Sequence, residues 1–264
     1  MQTFTLFLLW LAFFLALVSR RSPSAVLNHL SIGAAVAAWG LWTAGLAQRG
    51  IETGHWPMST HYEFGLAFVW ATLAFYLLLE AEGLPRLARP WALLVAAGIA
   101  TLVVTRPAGE RVATPLPPVL RSIWFPLHTL TAALSYGASG IAAGLAAAGL
   151  LERKETAPTA PEDLILRIRR AVGWAFLWLT ASMLIGALWA RDAWGRLWGW
   201  DPKETWTLIL WLWYLLLFHL RPLPHWQGRR FSLLVIAAFA GVLFLYWGVP
   251  WLVRTVRLES LHGF

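Results

Sequence analysis

Long apolar stretches, separated by short segments that carry charge, proline or glycine, constrain the fold of this chain more than any other feature. A helix that crosses a membrane needs about 20 mainly apolar residues and satisfies its backbone polar groups internally. Eight such stretches cover residues 2–18, 26–47, 62–79, 90–105, 128–151, 171–190, 203–220 and 231–249, approximately. We therefore predict an all-α fold, a polytopic helix bundle of about eight transmembrane helices that forms a single membrane domain over residues 1–264.

The composition excludes several classes of protein. Hydrophobic residues make up 59% of the chain and charged residues only 13%, which argues against a water-soluble enzyme. There is no cysteine, so disulfides, thiolate metal sites and cysteine nucleophiles are excluded, and any thiol chemistry must use the thiols of a partner. The net charge of +8 is spread over short loops, without a basic domain that would bind nucleic acid.

Counting the helices predicts which loops share a side of the membrane. An even number of spans puts both termini on one face, together with the loops near residues 55, 115 and 197. Lys and Arg are more abundant on the other face, so the positive-inside rule makes that face cytoplasmic. Residues 4–18 resemble a signal-peptide core but lack a cleavage site, so we interpret them as a retained span. Both termini are then expected on the outer, periplasmic face.

The longest cytoplasmic loop carries much of the positive charge, in Arg153, Lys154, Arg167, Arg169 and Arg170. Its two prolines, at positions 158 and 161, predict a break before the sixth span. Residues 162–170 are basic and partly apolar, which is typical of a short helix lying in the membrane interface. We therefore predict a separate interfacial helix there.

The external segment of about 191–206 is rich in tryptophan, and its second half has the residues of a helix start. Asp201 suits the N-cap position, Pro202 is favoured at the first helical position, and Glu204 completes an acidic capping box. The seventh span is thus predicted to begin at Pro202.

The first half of this segment has two interpretations. Trp194 and Trp198 share one face if the segment is helical, Trp200 lies close by, and Gly195 and Gly199 leave room for a large flat group. An aromatic belt at the membrane surface is the simpler interpretation. A platform for a planar ligand accounts better for the glycines and the capped aspartate. The cations that flank the segment suit either ligand carboxylates or lipid phosphates: Arg191, Arg196 and Lys203.

Residues 194–204 resemble the tryptophan-rich WWD signature of the haem-handling protein family, and the Asp-Pro-Lys-Glu continuation is similar to its CcsA/ResC branch, a component of System II cytochrome c synthesis. Four further places in the chain match that branch in order. The first contains Gly54, His55, Pro57, Tyr62 and Glu63, with Thr60 where Asn is usual. The others are His128 with Ser135 and Tyr136, and the histidines at 219 and 262; the usual Ser-Tyr after the last histidine is missing here.

The resemblance implies a holocytochrome c synthase, or haem lyase, subunit that works with a CcsB/ResB-type membrane partner. Haem b (iron protoporphyrin IX) would be exported and presented on the outer face of a bacterial cytoplasmic membrane, a plastid thylakoid being the alternative. There the two cysteines of a Cys-x-x-Cys-His segment of apocytochrome c would be attached to the haem through thioether bonds. A thioredoxin-like thiol reductase is a further implied partner.

The resemblance also implies the site residues. His128 and His262 would be iron ligands of the external haem, and His219 would ligate a second haem shared with the partner. Trp194, Trp198, Trp200 and Asp201, with Gly195, would position the ring for the reaction. Counting spans puts His128, His262 and the tryptophan segment on the same face, which a site with two histidine ligands requires.

Other assignments stay open at this stage. His55 and His61 are external and are alternative ligands, although hydrogen bonding within the loop is the simpler expectation for both; His29 and His219 form a less favoured internal pair. A haem transporter or chaperone that forms no bond has the same sequence features as a synthase. A haem b electron-transfer subunit is a third possibility, but it would have its histidine pairs inside the spans.

Overall fold

The computed structural model describes residues 2–22, 24–112, 115–151, 162–220, 222–226 and 228–256, and within them it is helical without strands. The long helices coincide with the eight predicted stretches. They are α1 Gln2–Arg21, α2 Ala25–Thr53, α3 His61–Ala81, α4 Arg89–Val104, α5 Trp124–Leu151, α6 Glu162–Trp194, α7 Pro202–Leu220 and α8 Arg229–Leu243, which continues through a π-helical turn, Phe244–Gly248, into α9 Val249–Val256. The all-α helix bundle is therefore confirmed.

Six of the described helices are long and apolar enough to cross a membrane: α1, α2, α3, α5, α6 and the 28-residue helix Arg229–Val256. Helix α4 is apolar but has only 16 residues. Helix α7 has 19 residues, carries Lys203 and Glu204 in its first turn, and is not among these six. The chain is thus a multi-pass membrane protein.

Helix α5 lies at the centre of the bundle and packs against α3, α4, α6 and α8. Small residues allow this close packing: a Cβ built on Gly137 would lie 2.7 Å from the backbone of α3, and one on Gly144 would lie 2.9 Å from the backbone of α4. Close approach of helix backbones at small residues is a common way of packing helices in lipid.

Hydrogen bonds from tryptophan connect several of these helices. The indole N–H of Trp10 donates to Thr101 (3.1 Å), that of Trp42 to the Leu66 carbonyl (2.9 Å), and that of Trp211 to Thr180 (2.9 Å). An indole buried in the bundle needs an acceptor for its one N–H, and these pairs supply it without breaking a helix. These three tryptophans therefore have a structural role.

The predicted interfacial helix at residues 162–170 is wrong, because these residues form the start of the continuous helix α6. Both prolines that suggested a break lie before Glu162, and neither glycine nor proline follows until Gly173, so the helix has no reason to stop.

The last span is also longer than predicted. Pro250 has no N–H, so a helix that reaches it loses one α-helical hydrogen bond. The chain accommodates this with the π-helical turn, in which the Val249 N–H donates to the Phe244 carbonyl, five residues back. The helix then continues to Val256, which carries Arg254 to the end of the bundle.

The packing of α5 gives a first prediction. Gly137→Ala should force α3 and α5 apart and destabilise the protein by about 1–3 kcal/mol, as overpacking does elsewhere. Gly98→Ala is the matched control, because a Cβ there meets no atom within 4 Å. Thermal unfolding in detergent, followed by tryptophan fluorescence, should show a lower midpoint for Gly137→Ala only. Equal midpoints for the two variants would contradict the proposed role of this contact.

Candidate functional site: a cavity at one end of the bundle

A cavity of about 470 Å³ opens at the end of the bundle where α3, α5 and α7 begin and α6 and α9 end. This volume is within the usual range for small-molecule sites, about 300–1,000 Å³. Most of its lining is apolar or aromatic. The titratable side chains that line it are His61, His128, Tyr136, Lys203, Glu204, Tyr246 and Arg254.

His128 lies in the first turns of α5 and is held against α6. Its Nδ1 is 2.9 Å from the Ser182 carbonyl oxygen and 3.2 Å from the Ser182 hydroxyl. Because a carbonyl oxygen only accepts, this contact favours the tautomer with the proton on Nδ1 and the lone pair on Nε2. Orientation of one ring nitrogen by a carbonyl is typical of histidines that bind metals through the other.

Two neighbours fix the position of the His128 ring. Gly186 faces it, and a Cβ built there would lie 2.7 Å from His128 Nδ1, so the absence of a side chain leaves room for the imidazole. Trp189 stacks on the ring, with centroids 6.0 Å apart and planes 9° from parallel. The imidazole therefore has little rotational freedom at the cavity wall.

The start of α7 is capped as the sequence predicts. The helix begins at Pro202, the Lys203 N–H donates to Asp201 Oδ1 (2.9 Å), and the Asp201 N–H donates to Glu204 Oε2 (3.2 Å). Glu204 Oε2 also accepts from the Gly199 N–H, at 2.7 Å. The carboxylate of Glu204 thus fixes the turn that precedes the helix.

Trp194 and Trp198 do not share a helical face, because the segment between them is not helical. Helix α6 ends at Trp194, where Gly195 has a φ of +73°, and residues 195–201 form a loop. Gly195 therefore ends the helix, since positive φ is readily available only to glycine. Trp200 also has a positive φ, +56°, which is uncommon for a bulky residue and is found more often at functional sites.

The three tryptophans of the signature do not form one flat platform. Trp198 lines the cavity, and its ring is nearly perpendicular to that of Trp200, at 87°. Trp200 is 68% exposed, and Trp194 packs edge-on against Trp189. Of the three, Trp198 alone belongs to the cavity lining, where the other indole is that of Trp189, so the signature does not offer a planar ligand a shelf of three rings.

The start of α3 resembles the start of α7. Thr60 and Glu63 form a capping box, and Glu63 also makes a buried ion pair with Arg49, with 2.9 Å between Nε and Oε1. Glu63 belongs to the segment 54–63, which is part of the family resemblance in the sequence. Here it fixes the first turn of α3, which carries His61 to the cavity.

His61 differs from the expectation of loop hydrogen bonding. Its ring stacks on Tyr246, with centroids 4.0 Å apart and planes 3° from parallel, and the Tyr246 hydroxyl donates to the His61 carbonyl. Its Nε2 is buried and makes no hydrogen bond to the described residues. Tyr246 belongs to none of the sequence motifs, because it comes from a helix far away in the sequence. Its position also requires glycine at position 65, where a side chain would collide with the Tyr246 hydroxyl.

The other predicted histidines lie outside this cavity or outside the described residues. The Nδ1 of His55 is 2.9 Å from the Trp56 carbonyl oxygen, which agrees with hydrogen bonding in the loop. His219 is exposed near the end of α7, with its Nδ1 2.8 Å from the Leu215 carbonyl. His262 falls in residues 257–264, which lie outside the described residues.

The cations near the site are also distributed differently from the prediction. Lys203 lines the cavity, whereas Arg191 is bonded to Asp192 on the surface and Arg196 packs over Gly199. Arg254 lines the cavity although no motif contained it. Its position depends on the continuation of the last helix past Pro250, whereas the sequence predicted that this span ends at residue 249.

Comparison with known proteins identifies the family. Residues 58–257, most of the chain, match the family model described as cytochrome C assembly protein. The chain belongs to this family. A cytochrome c biogenesis protein CcsA from Gloeobacter violaceus is 30% identical, over 96% of this chain and 90% of that protein. The CcsA protein of Chlamydomonas reinhardtii is 33% identical, over 83% of this chain and 64% of that protein.

A solved structure shares the fold of this CcsA-type chain. The cytochrome c haem lyase CcmF has a TM-score of 0.66 and 17% sequence identity, and the match covers 99% of this chain but 51% of that one. The CcsA-type chain therefore corresponds to about half of the larger protein, and at this identity the likeness concerns the fold.

The cap at the start of α7 gives a second prediction. Asp201→Ala removes the acceptor for the Lys203 N–H and should destabilise the first turn of α7 by about 1 kcal/mol, which corresponds to roughly fivefold faster amide exchange. Asp201→Asn keeps an acceptor and serves as the control. Hydrogen–deuterium exchange of residues 199–207, measured by mass spectrometry, should separate the two variants. An alanine variant that exchanges like the wild type would leave Asp201 without a capping role.

Proposed function

We propose that this chain binds haem b in the cavity at the end of the bundle and presents it there for thioether attachment to apocytochrome c. The main support for the proposal is that His128 and Trp198 line the same cavity. These residues are 70 positions apart and were selected by separate parts of the family resemblance. A ligand bound in this cavity can contact both residues.

The cavity residues suit a porphyrin in three respects. His128 is oriented by a carbonyl through Nδ1, and in this proposal Nε2 is the nitrogen that binds iron. The apolar and aromatic walls suit the macrocycle, with Trp198 as the member of the signature that contacts it. The turn fixed by Asp201 and Glu204 holds Trp198 in place, with Trp194 and Trp200 supporting that turn from outside the lining.

In this proposal haem is a substrate, and its two vinyl groups react with the cysteine thiols of a Cys-x-x-Cys-His segment. Each S–H adds across a vinyl double bond, so a carbon–sulfur bond forms without any net oxidation. The chain contributes positioning, which lowers the entropic cost of bringing ring and peptide together. Because it contains no cysteine, it offers no thiol that would compete with the apocytochrome.

His262 is proposed as the second ligand of the same iron. It is the sixth residue after Val256 in the sequence. That end of α9 borders the cavity through Val253 and Arg254. The histidine of the apocytochrome segment would displace one of the two ligands and begin product release.

We further propose that α4 and α7 cross the membrane with the six longer helices, giving eight spans and both termini outside. The common end of the bundle that contains the cavity would then face the periplasm of a bacterium, with a thylakoid location as the alternative. The partner would be a CcsB/ResB-type subunit, which contacts the exposed side of α7 and shares a second haem with His219. A thioredoxin-like reductase would keep the apocytochrome thiols reduced.

Replacing the proposed iron ligand gives a third prediction. In protein purified with its partner, His128→Ala should lose the external haem or shift its Soret band, because one axial nitrogen is removed. His55→Ala is the control, since its ring bonds within its own loop. An unchanged spectrum and haem content for His128→Ala would remove this residue from the ligand set.

The proposed bond formation gives a fourth prediction, which separates a synthase from a haem carrier. Cells expressing this chain with its partner and an apocytochrome should yield a pyridine haemochrome spectrum of c-type haem, because thioether formation shifts the α-band. An apocytochrome in which both cysteines are serine is the control and should yield none. Haem that stays extractable from the wild-type acceptor would indicate a transporter or chaperone without bond-forming activity.

A further inference from the structure

A basic corner of the cavity is left unexplained by the iron ligands and the tryptophan signature. We define it as Lys203 at the start of α7, Arg254 near the end of α9, and His61 at the start of α3, all of which line the cavity. Three separate helices bring these basic groups together. Lys203, Arg254 and the nearby Arg106 are close enough to act electrostatically on the imidazole of His61.

The acidic groups around the corner are engaged elsewhere. Arg106 is paired with Glu110, at 3.0 Å, and does not line the cavity. Glu204 does line it, but its carboxylate accepts the backbone N–H groups of Gly199 and Asp201. Among the described residues, neither Lys203 nor Arg254 forms an ion pair within 4 Å; Asp201 is the acidic neighbour of Lys203, and it caps α7.

We propose that the basic corner, through Arg254 and Lys203, binds the carboxylates of the tetrapyrrole in the cavity; this assignment rests on the proposed function and deepens it. Two cations that form no ion pair with the described part of the chain, beside a largely apolar cavity, suit a ligand that is apolar over most of its surface and anionic at one edge. A porphyrin with two propionates has this distribution.

The assignment also determines the in-plane orientation of the porphyrin ring. In protoporphyrin IX the two vinyl groups are on the pyrrole rings opposite those that carry the propionates. Holding the propionates at the basic corner therefore turns the vinyl edge away from α9 and α3. The corner would select a ring with free carboxylates and one in-plane orientation, which the iron ligands alone do not specify.

Metal-free porphyrins test the assignment without iron coordination. We would titrate the full chain, purified with its partner, with protoporphyrin IX and with its dimethyl ester, and follow the quenching of tryptophan fluorescence. The wild type should bind the diacid at least tenfold more tightly than the diester. Arg254→Gln should weaken binding of the diacid by about tenfold and leave the diester nearly unchanged, and Arg254→Lys should restore most of the difference.

Control variants make the outcomes distinct. Arg191→Gln removes an arginine that bonds to Asp192 outside the cavity and should bind both porphyrins like the wild type. Arg254 is exposed as well as lining the cavity, so its replacement should leave the fold intact; Lys203→Gln provides an independent second variant. Equal affinity of the wild type for diacid and diester, or equal weakening of both by Arg254→Gln, would overturn the basic corner while leaving porphyrin binding standing. If neither the diacid nor the diester bound to the wild type, the proposed function would be overturned as well.

Discussion

The close packing of α5 at small residues is the contact on which the rest of the structure depends. Gly137 and Gly144 bring the backbones of α3 and α4 almost into contact with it, and the hydroxyl of Ser135 donates to the Ala175 carbonyl of α6 at 2.9 Å. In lipid, where apolar side chains gain little by leaving the solvent, such short contacts and hydrogen bonds provide the specificity of helix association. They also set the distance from α5 to α6 at which His128 can reach the Ser182 carbonyl.

The cavity exists because helix ends are fixed there individually. Glu63 and Glu204 occupy the same position in the first turns of α3 and α7, and each carboxylate accepts backbone N–H groups of the preceding segment. Without these caps, polar backbone groups would be exposed at the edge of an apolar cavity, which is costly. The capped turns present His61, Lys203 and Trp198 as fixed walls.

The helices and the start of α7 were predictable because they depend on local patterns, namely apolar length and the Asp-Pro-Lys-Glu cap. Counting helices also predicted that His128 and the tryptophan segment share one end, since that follows from parity alone. The arrangement of the indoles was not predictable: Gly195 ends α6 by its backbone conformation, Trp194 packs edge-on against Trp189, and the rings of Trp198 and Trp200 are nearly perpendicular. Tyr246 and Arg254 were missed, and the stacking of His61 on Tyr246 was not foreseen, for a related reason: residues nearly 200 positions apart meet only after the bundle has formed.

The central claim is that a tetrapyrrole occupies the cavity between His128 and Trp198. A cryo-electron-microscopy map of the chain with its partner, prepared with haem, tests it most directly. We predict planar density in the cavity, with the metal within bonding distance of His128 Nε2. Planar density found solely beside His219, with lipid or side chains filling the cavity, would contradict the account.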